Sequence, residues 1–131
     1  MQRVPAVWRD LVAQFFGIGP EVADGLLSLV GDPSCWIRSR VEGISVVRIP
    51  LADRRARGLL ARGPPGTAIP PRPSQDLERL LVLQGMIVDV AGSRQFTAGS
   101  EVVRPPGPRS PLHLAGSEEC IFGVWVGPPT P

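Results

Sequence analysis

Gly66-Thr67-Ala68-Ile69-Pro70-Pro71-Arg72-Pro73-Ser74-Gln75-Asp76-Leu77-Glu78-Arg79-Leu80-Leu81-Val82-Leu83-Gln84-Gly85 is the stretch on which the fold turns. Its second half is an apolar run closed by a glycine, which reads as a strand ending in a tight turn. Its first half is rich in proline and polar residues. Side chains alternate faces along a strand, so Arg72, Ser74 and Glu78 share one face if the backbone runs regularly, with a turn allowed before Glu78. The same texture continues on both sides. Short β-rich runs at 43–51, 56–61, 78–84, 86–90, 100–104 and 119–126 are separated by glycine and proline. That spacing is the pattern of an all-β sandwich or barrel with tight turns. No long helical patterns alternate with the strands, which argues against a doubly wound α/β fold.

Before residue 34 the pattern is different. Val7, Trp8, Leu11, Val12, Phe15 and Phe16 form one apolar stripe at helical spacing, with Pro5 before it and Gly17 after it. A second short helix fits 20–30, opened by Gly19-Pro20 and closed by Gly31-Asp32-Pro33. The expected organisation is a helical hairpin at 1–33, a β domain at 34–127 and a proline-rich tail at 128–131. The hairpin must bury its stripe either on its own chain or on a second subunit. Strands such as Leu80–Leu83 are apolar on both faces, so their outer face also needs a cover, and a homodimer is expected.

Within the stretch quoted above, Gly66, Glu78 and Gly85 fall in register with the pattern G-x5-H-x-H-x3-E-x6-G. Gly99, Pro105 and Gly107 fall in register with G-x5-P-x-G-x2-H. These are the two motifs of the cupins, and the region 34–127 resembles that superfamily. The wording of Leu-Val-Leu-Gln-Gly, Phe-Thr-Ala-Gly-Ser, Val-Arg-Pro-Pro-Gly-Pro-Arg and Ser-Glu-Glu-Cys-Ile-Phe resembles the cupin domain of ChrR-type anti-sigma factors. The resemblance implies a single cupin jelly-roll barrel for 34–127, behind the helical hairpin read at 1–33. It also implies a pocket formed by Arg72, Ser74, Glu78 and Ser110, the four positions at which the family carries metal ligands. Arg72, Ser74 and Ser110 stand where the family has histidines. Arginine cannot ligate a metal and serine is a poor ligand for a first-row ion, so no metal or other cofactor is expected. ChrR-type factors hold their sigma factor through an HxxxCxxC zinc module. This sequence contains no such motif, so sigma-factor binding is not expected.

In the pocket, Arg72 is expected to pair with Glu78 and supply the positive charge of the missing metal. Arg72 is also the candidate for holding a small anionic ligand through its planar fork. No catalytic residue is assigned. The alternative is a small cupin enzyme, an isomerase or lyase and less readily a dioxygenase, with Glu78 as its base. The lone histidine, His113, is three residues from Ser110 and points to the opposite face of a strand, which leaves no serine–histidine pair.

Composition narrows the rest. The 131 residues suffice for one domain with a real core. All 14 basic residues are arginine, and with 12 acidic residues the net charge is only +2. The charges are interspersed and no basic stripe carries aromatics, so no nucleic-acid partner is expected. Arg54-Arg55-Ala56-Arg57 beside Asp53 reads as a solvated hairpin turn. No apolar run approaches the ~20 residues of a membrane span. Cys35 and Cys120 form no CxxC and are expected to be buried free thiols. These features together suggest a cytoplasmic protein.

Overall fold

The structure, a computed structural model, describes residues 4–91 and 93–129. Thr130 and Pro131 of the expected tail and residues 1–3 of the expected hairpin lie outside the described residues. Among the described residues two helices, α1 (Ala6–Phe16) and α2 (Pro20–Leu27), precede ten strands. Four of these are β1 (Ile37–Arg38), β2 (Ser45–Ile49), β3 (Arg57–Gly63) and β4 (Ala68–Ile69). Then come β5 (Leu77–Gln84), β6 (Met86–Asp89) and β7 (Arg94–Thr97). The last are β8 (Glu101–Arg104), β9 (Leu112–Ala115) and β10 (Cys120–Gly127). One antiparallel sheet has the order β1-β2-β3-β10-β5-β8 and the other β4-β9-β6-β7. No ladder joins them among the described residues, so the expected closed barrel is found as two facing sheets.

Each apolar strand of the larger sheet feeds two cores. Leu80 and Val82 of β5 face the smaller sheet and pack with Val46, Ala61, Val102 and Phe122 against Ile87, Leu112 and Leu114. Leu81 and Leu83 point to the other side, where they meet Trp8, Val12, Phe15 and Phe16 of α1 and Leu27 of α2. The helical hairpin therefore covers the outer face of the larger sheet within one chain. That cover removes the unpartnered apolar face from which a homodimer was expected.

Local chemistry explains how the helices lie so close. A side chain at Gly123 would meet Phe16 at 3.1 Å and Phe15 at 3.3 Å, so the bare backbone of β10 admits both rings. Arg79, on the outer face of β5, spans the seam. Its guanidinium lies 5.0 Å from the Phe15 ring centroid and 5.7 Å from that of Trp125, and its Nε donates to Glu101 at 2.9 Å. Arg62 does the same at the next junction, 4.3 Å over the Trp36 ring while donating to the Val30 carbonyl.

α1 stops at Gly17, which adopts the left-handed conformation as the sequence implies. The expected second helix is shorter than 20–30. It gives way at Ser28 to a 3-10 turn, Ser28–Gly31, and the Ser28 hydroxyl bonds back to the Gly25 carbonyl. Asp32 caps the following turn, and its bonds from the Ser34 hydroxyl, the Ser34 amide and the Cys35 thiol hold its carboxyl below the usual range. Cys120 is fully buried, and desolvation pushes its thiol up to about 12. Cys35 is only partly buried, contrary to expectation, because it sits in this surface turn. No helix among the described residues is long and apolar enough to cross a membrane.

Candidate functional site

Strand register assembles a charged cluster at one end of the sandwich. Glu78 on β5 lies opposite Arg104 on β8, and both continue the inward face of Leu80 and Val102. Ser110, two residues before Leu112, and Asp89, two after Ile87, continue the inward face of the smaller sheet. The Ser110 hydroxyl donates to the Asp89 carboxylate at 2.8 Å. Arg104 donates through Nη1 to Glu78 Oε1 at 3.1 Å and through Nη2 to the Ser110 carbonyl at 3.0 Å. Arg109 donates through Nη1 to the other Glu78 oxygen at 3.4 Å and through Nη2 to the Asp76 carbonyl.

The cluster is largely shielded from water. The side chains of Arg109, Arg104 and Glu78 are 7%, 14% and 18% exposed. Arg109 Nε is buried without a hydrogen-bond partner. Each Glu78 oxygen faces its own guanidinium, which leaves neither free of a cation. An arrangement of this kind fixes strands and loops to one another. It offers little for proton transfer, since a base needs an unengaged oxygen aimed at a substrate.

Of the four residues read as a pocket, Glu78 and Ser110 belong to this cluster, bridged by Arg104. Arg72 does not. It is exposed, sits in the Pro70–Pro73 loop, and has no ion-pair or hydrogen-bond partner among the described residues. The expected Arg72–Glu78 pair is therefore corrected to Glu78 with Arg104 and Arg109. The regular strand that would have aimed Arg72 inward is broken by Pro70, Pro71 and Pro73. Ser74 has a structural task. Its backbone bridges to Gly107, and its hydroxyl accepts from the Asp76 amide at 3.0 Å, which ties the loop before β5 to the loop after β8. His113 lies on the outer face of the smaller sheet, opposite Ala68 and Val88, away from Ser110.

Arg104, Arg109 and Asp89 were not singled out from the sequence. Arg104 and Asp89 had a readable signal, since each is two residues from an inward-facing apolar residue in an expected strand run. Arg109 sits in the proline-rich loop before β9, where no periodicity applies.

The residues present do not fit a first-row metal. The donors at this end are the Glu78 and Asp89 carboxylates, and two guanidiniums already neutralise Glu78. Among the described residues no group of three or more His, Cys, Asp or Glu is placed to hold an ion. Two surface pockets, of about 430 and 480 Å³, lie elsewhere, one beside Trp8, Met86 and Thr97 and one beside Val41, Gly43 and Thr67.

No family model matches the sequence, and no curated protein matches it. Solved structures do. An RmlC-like cupin protein of Ralstonia eutropha is 18% identical at a TM-score of 0.62, covering 71% of this chain and 62% of its own. The anti-sigma ChrR of Rhodobacter sphaeroides, solved with SigE, is 26% identical at a TM-score of 0.60, covering 69% of this chain and 46% of its own. The polyketide cyclase RemF of Streptomyces resistomycificus is 16% identical at a TM-score of 0.60, covering 70% of this chain and 72% of its own. The chain thus spans less than two thirds of the first two proteins. Similarity to a regulator and an enzyme alike shows a shared fold that hosts several kinds of function.

Proposed function

We propose that this member of the cupin superfamily is a non-enzymatic regulatory or small-ligand-sensing module that works without a bound metal. The observation that carries the reading is the engagement of both Glu78 oxygens by Arg104 and Arg109. In the enzyme alternative, an isomerase or lyase, Glu78 is the base. The two guanidiniums stand against that role, because they hold the carboxylate in a structural bond at the place where a substrate would have to reach it. The similarity to ChrR supports the regulatory side. Sigma-factor binding is not part of the proposal, since the sequence has no HxxxCxxC motif. The module is taken to act in the cytoplasm. The test is to load the purified protein separately with zinc, iron(II), manganese and nickel, dialyse, and measure metal by elemental analysis. The expected result is well below one equivalent of each. One equivalent that disappears in Glu78→Gln overturns the reading.

A further inference from the structure

Two more guanidiniums occupy the inward face of the larger sheet at this same end, and neither is neutralised. Arg48 on β2 lies opposite Leu59 on β3, and Arg57 is two residues before Leu59. Diagonal neighbours of this kind have Cα atoms ~7–8 Å apart. Val46 and Ala61, two and four residues away on those strands, belong to the core between the sheets. Arg48 and Arg57 therefore extend the core-facing side of the sheet beyond the point where the smaller sheet covers it. Both are exposed, and among the described residues neither has an ion-pair or hydrogen-bond partner. The register then carries their row across the sheet from Arg57 through Val126 to Glu78 and Arg104. Two strand spacings, roughly 10 Å, separate Arg57 from Glu78.

The ion pairs at this end leave two guanidiniums over. Arg104 and Arg109 pair with Glu78, while Arg48 and Arg57 have no ion-pair partner among the described residues. Glu78 is used up by Arg104 and Arg109, and no carboxylate reaches Arg48 or Arg57. Like charges on neighbouring positions of a sheet repel, so this pair is a standing cost to the fold unless an anion lies between them. A guanidinium fork is well matched to the oxygens of a carboxylate or a phosphate, and two forks at this separation can grip one such group from two sides.

We infer that Arg48 and Arg57 form a binding site for a small oxyanion at the open end of the sandwich. The inference rests on the ligand-sensing reading above and gives it a ligand class. It also moves the anion site expected at Arg72 to a pair of residues on the core-facing side of the sheet.

The test is thermal unfolding of the full chain, with 10 mM inorganic phosphate or 10 mM succinate compared with chloride at equal ionic strength. The proteins are the unsubstituted chain, Arg48→Gln, Arg57→Gln, the double variant, and Arg38→Gln as an exposed control on β1. Ligand bound at about ten times its Kd raises the midpoint of a domain this size by roughly 3–6 °C. That shift is expected in the unsubstituted chain and in Arg38→Gln, halved or less in each single variant, and lost in the double variant. Because both side chains are exposed, the variants are expected to melt in chloride at or above the unsubstituted midpoint. A shift with phosphate alone assigns a phosphate-bearing ligand, and a shift with succinate alone a carboxylate; either supports the site. An equal shift in the double variant means general screening of a basic protein and overturns the inference, as does no shift with either anion. Failure here leaves the metal-free reading intact, whereas a bound metal would defeat that reading without abolishing the anion shift.

Discussion

Replacing Glu78 by leucine removes the carboxylate that two shielded guanidiniums share, and the arithmetic of that cluster is asymmetric. Arg104 would keep only the Ser110 carbonyl and Arg109 only the Asp76 carbonyl. Breaking a buried ion pair by deleting one partner costs ~3–5 kcal/mol. Glu78 and Arg104 retain 18% and 14% exposure, which places the loss near the lower bound, about 3 kcal/mol. Replacing Arg109 by methionine is milder, because Glu78 keeps Arg104. Two charge-assisted bonds, to Glu78 and to the Asp76 carbonyl, each worth ~1.5–3 kcal/mol, are lost, while the unbonded Nε, itself a burden of ~1–3 kcal/mol, disappears with the side chain. The net is about 2 kcal/mol, still below the loss for Glu78→Leu. In the double variant Arg109 no longer needs a partner, so the combined loss is expected to fall short of the sum by more than ~1 kcal/mol. Urea melts of the four proteins measure this directly. Arg72→Met, at an exposed unpartnered position, serves as a control within ~0.5 kcal/mol of the unsubstituted chain. Additive losses, or Arg109→Met costing more than Glu78→Leu, would refute the cluster as described.

The packing sets four further outcomes. Gly85→Ala forces a positive φ of 82° on a residue with a Cβ and drives that atom to 2.9 Å from Cys120 Cα, so a loss of roughly 2–4 kcal/mol is expected by denaturant melt. Arg79→Ala removes the seam between Phe15, Trp125 and Glu101 and should cost ~1–2 kcal/mol, with faster amide exchange in α1 than in β10 as the distinguishing readout. A thiol reagent at pH 8 should modify Cys35 quickly and Cys120 only on unfolding. The raised Cys120 value also means that its stabilising effect is complete below about 9 and is lost as pH rises toward about 12, so the melting midpoint should decline across that window and do so less in Cys120→Ala.

Much of the fold was legible because the apolar residues report their own periodicity. The six β-rich runs coincide with β2, β3, β5, β6, β8 and β10, and the stripe from Val7 to Phe16 coincides with α1. The strands that escaped are short or polar. β1 and β4 have two residues each, β7 reads Arg-Gln-Phe-Thr, and the four-residue β9 follows the proline-rich loop at 105–111. The site was harder to read. Motif spacing grouped Glu78 with Ser110, and Arg104 bonds to both, but it aimed Arg72 inward by assuming a regular strand through three prolines. The true partners of Glu78 come from β8 and from the loop before β9. Their meeting depends on cross-strand register and on loop geometry, and neither leaves a period in the sequence.

The guanidiniums of Arg104 and Arg109 hold Glu78 at the end of the sandwich, and the proposed function requires that no metal takes their place. Crystals soaked in zinc, with data collected on both sides of the zinc absorption edge, test this. The expected result is Arg104 and Arg109 on the two Glu78 oxygens and no anomalous peak within bonding distance of that carboxylate. An anomalous peak on Glu78, with Arg109 turned out to solvent, would contradict it.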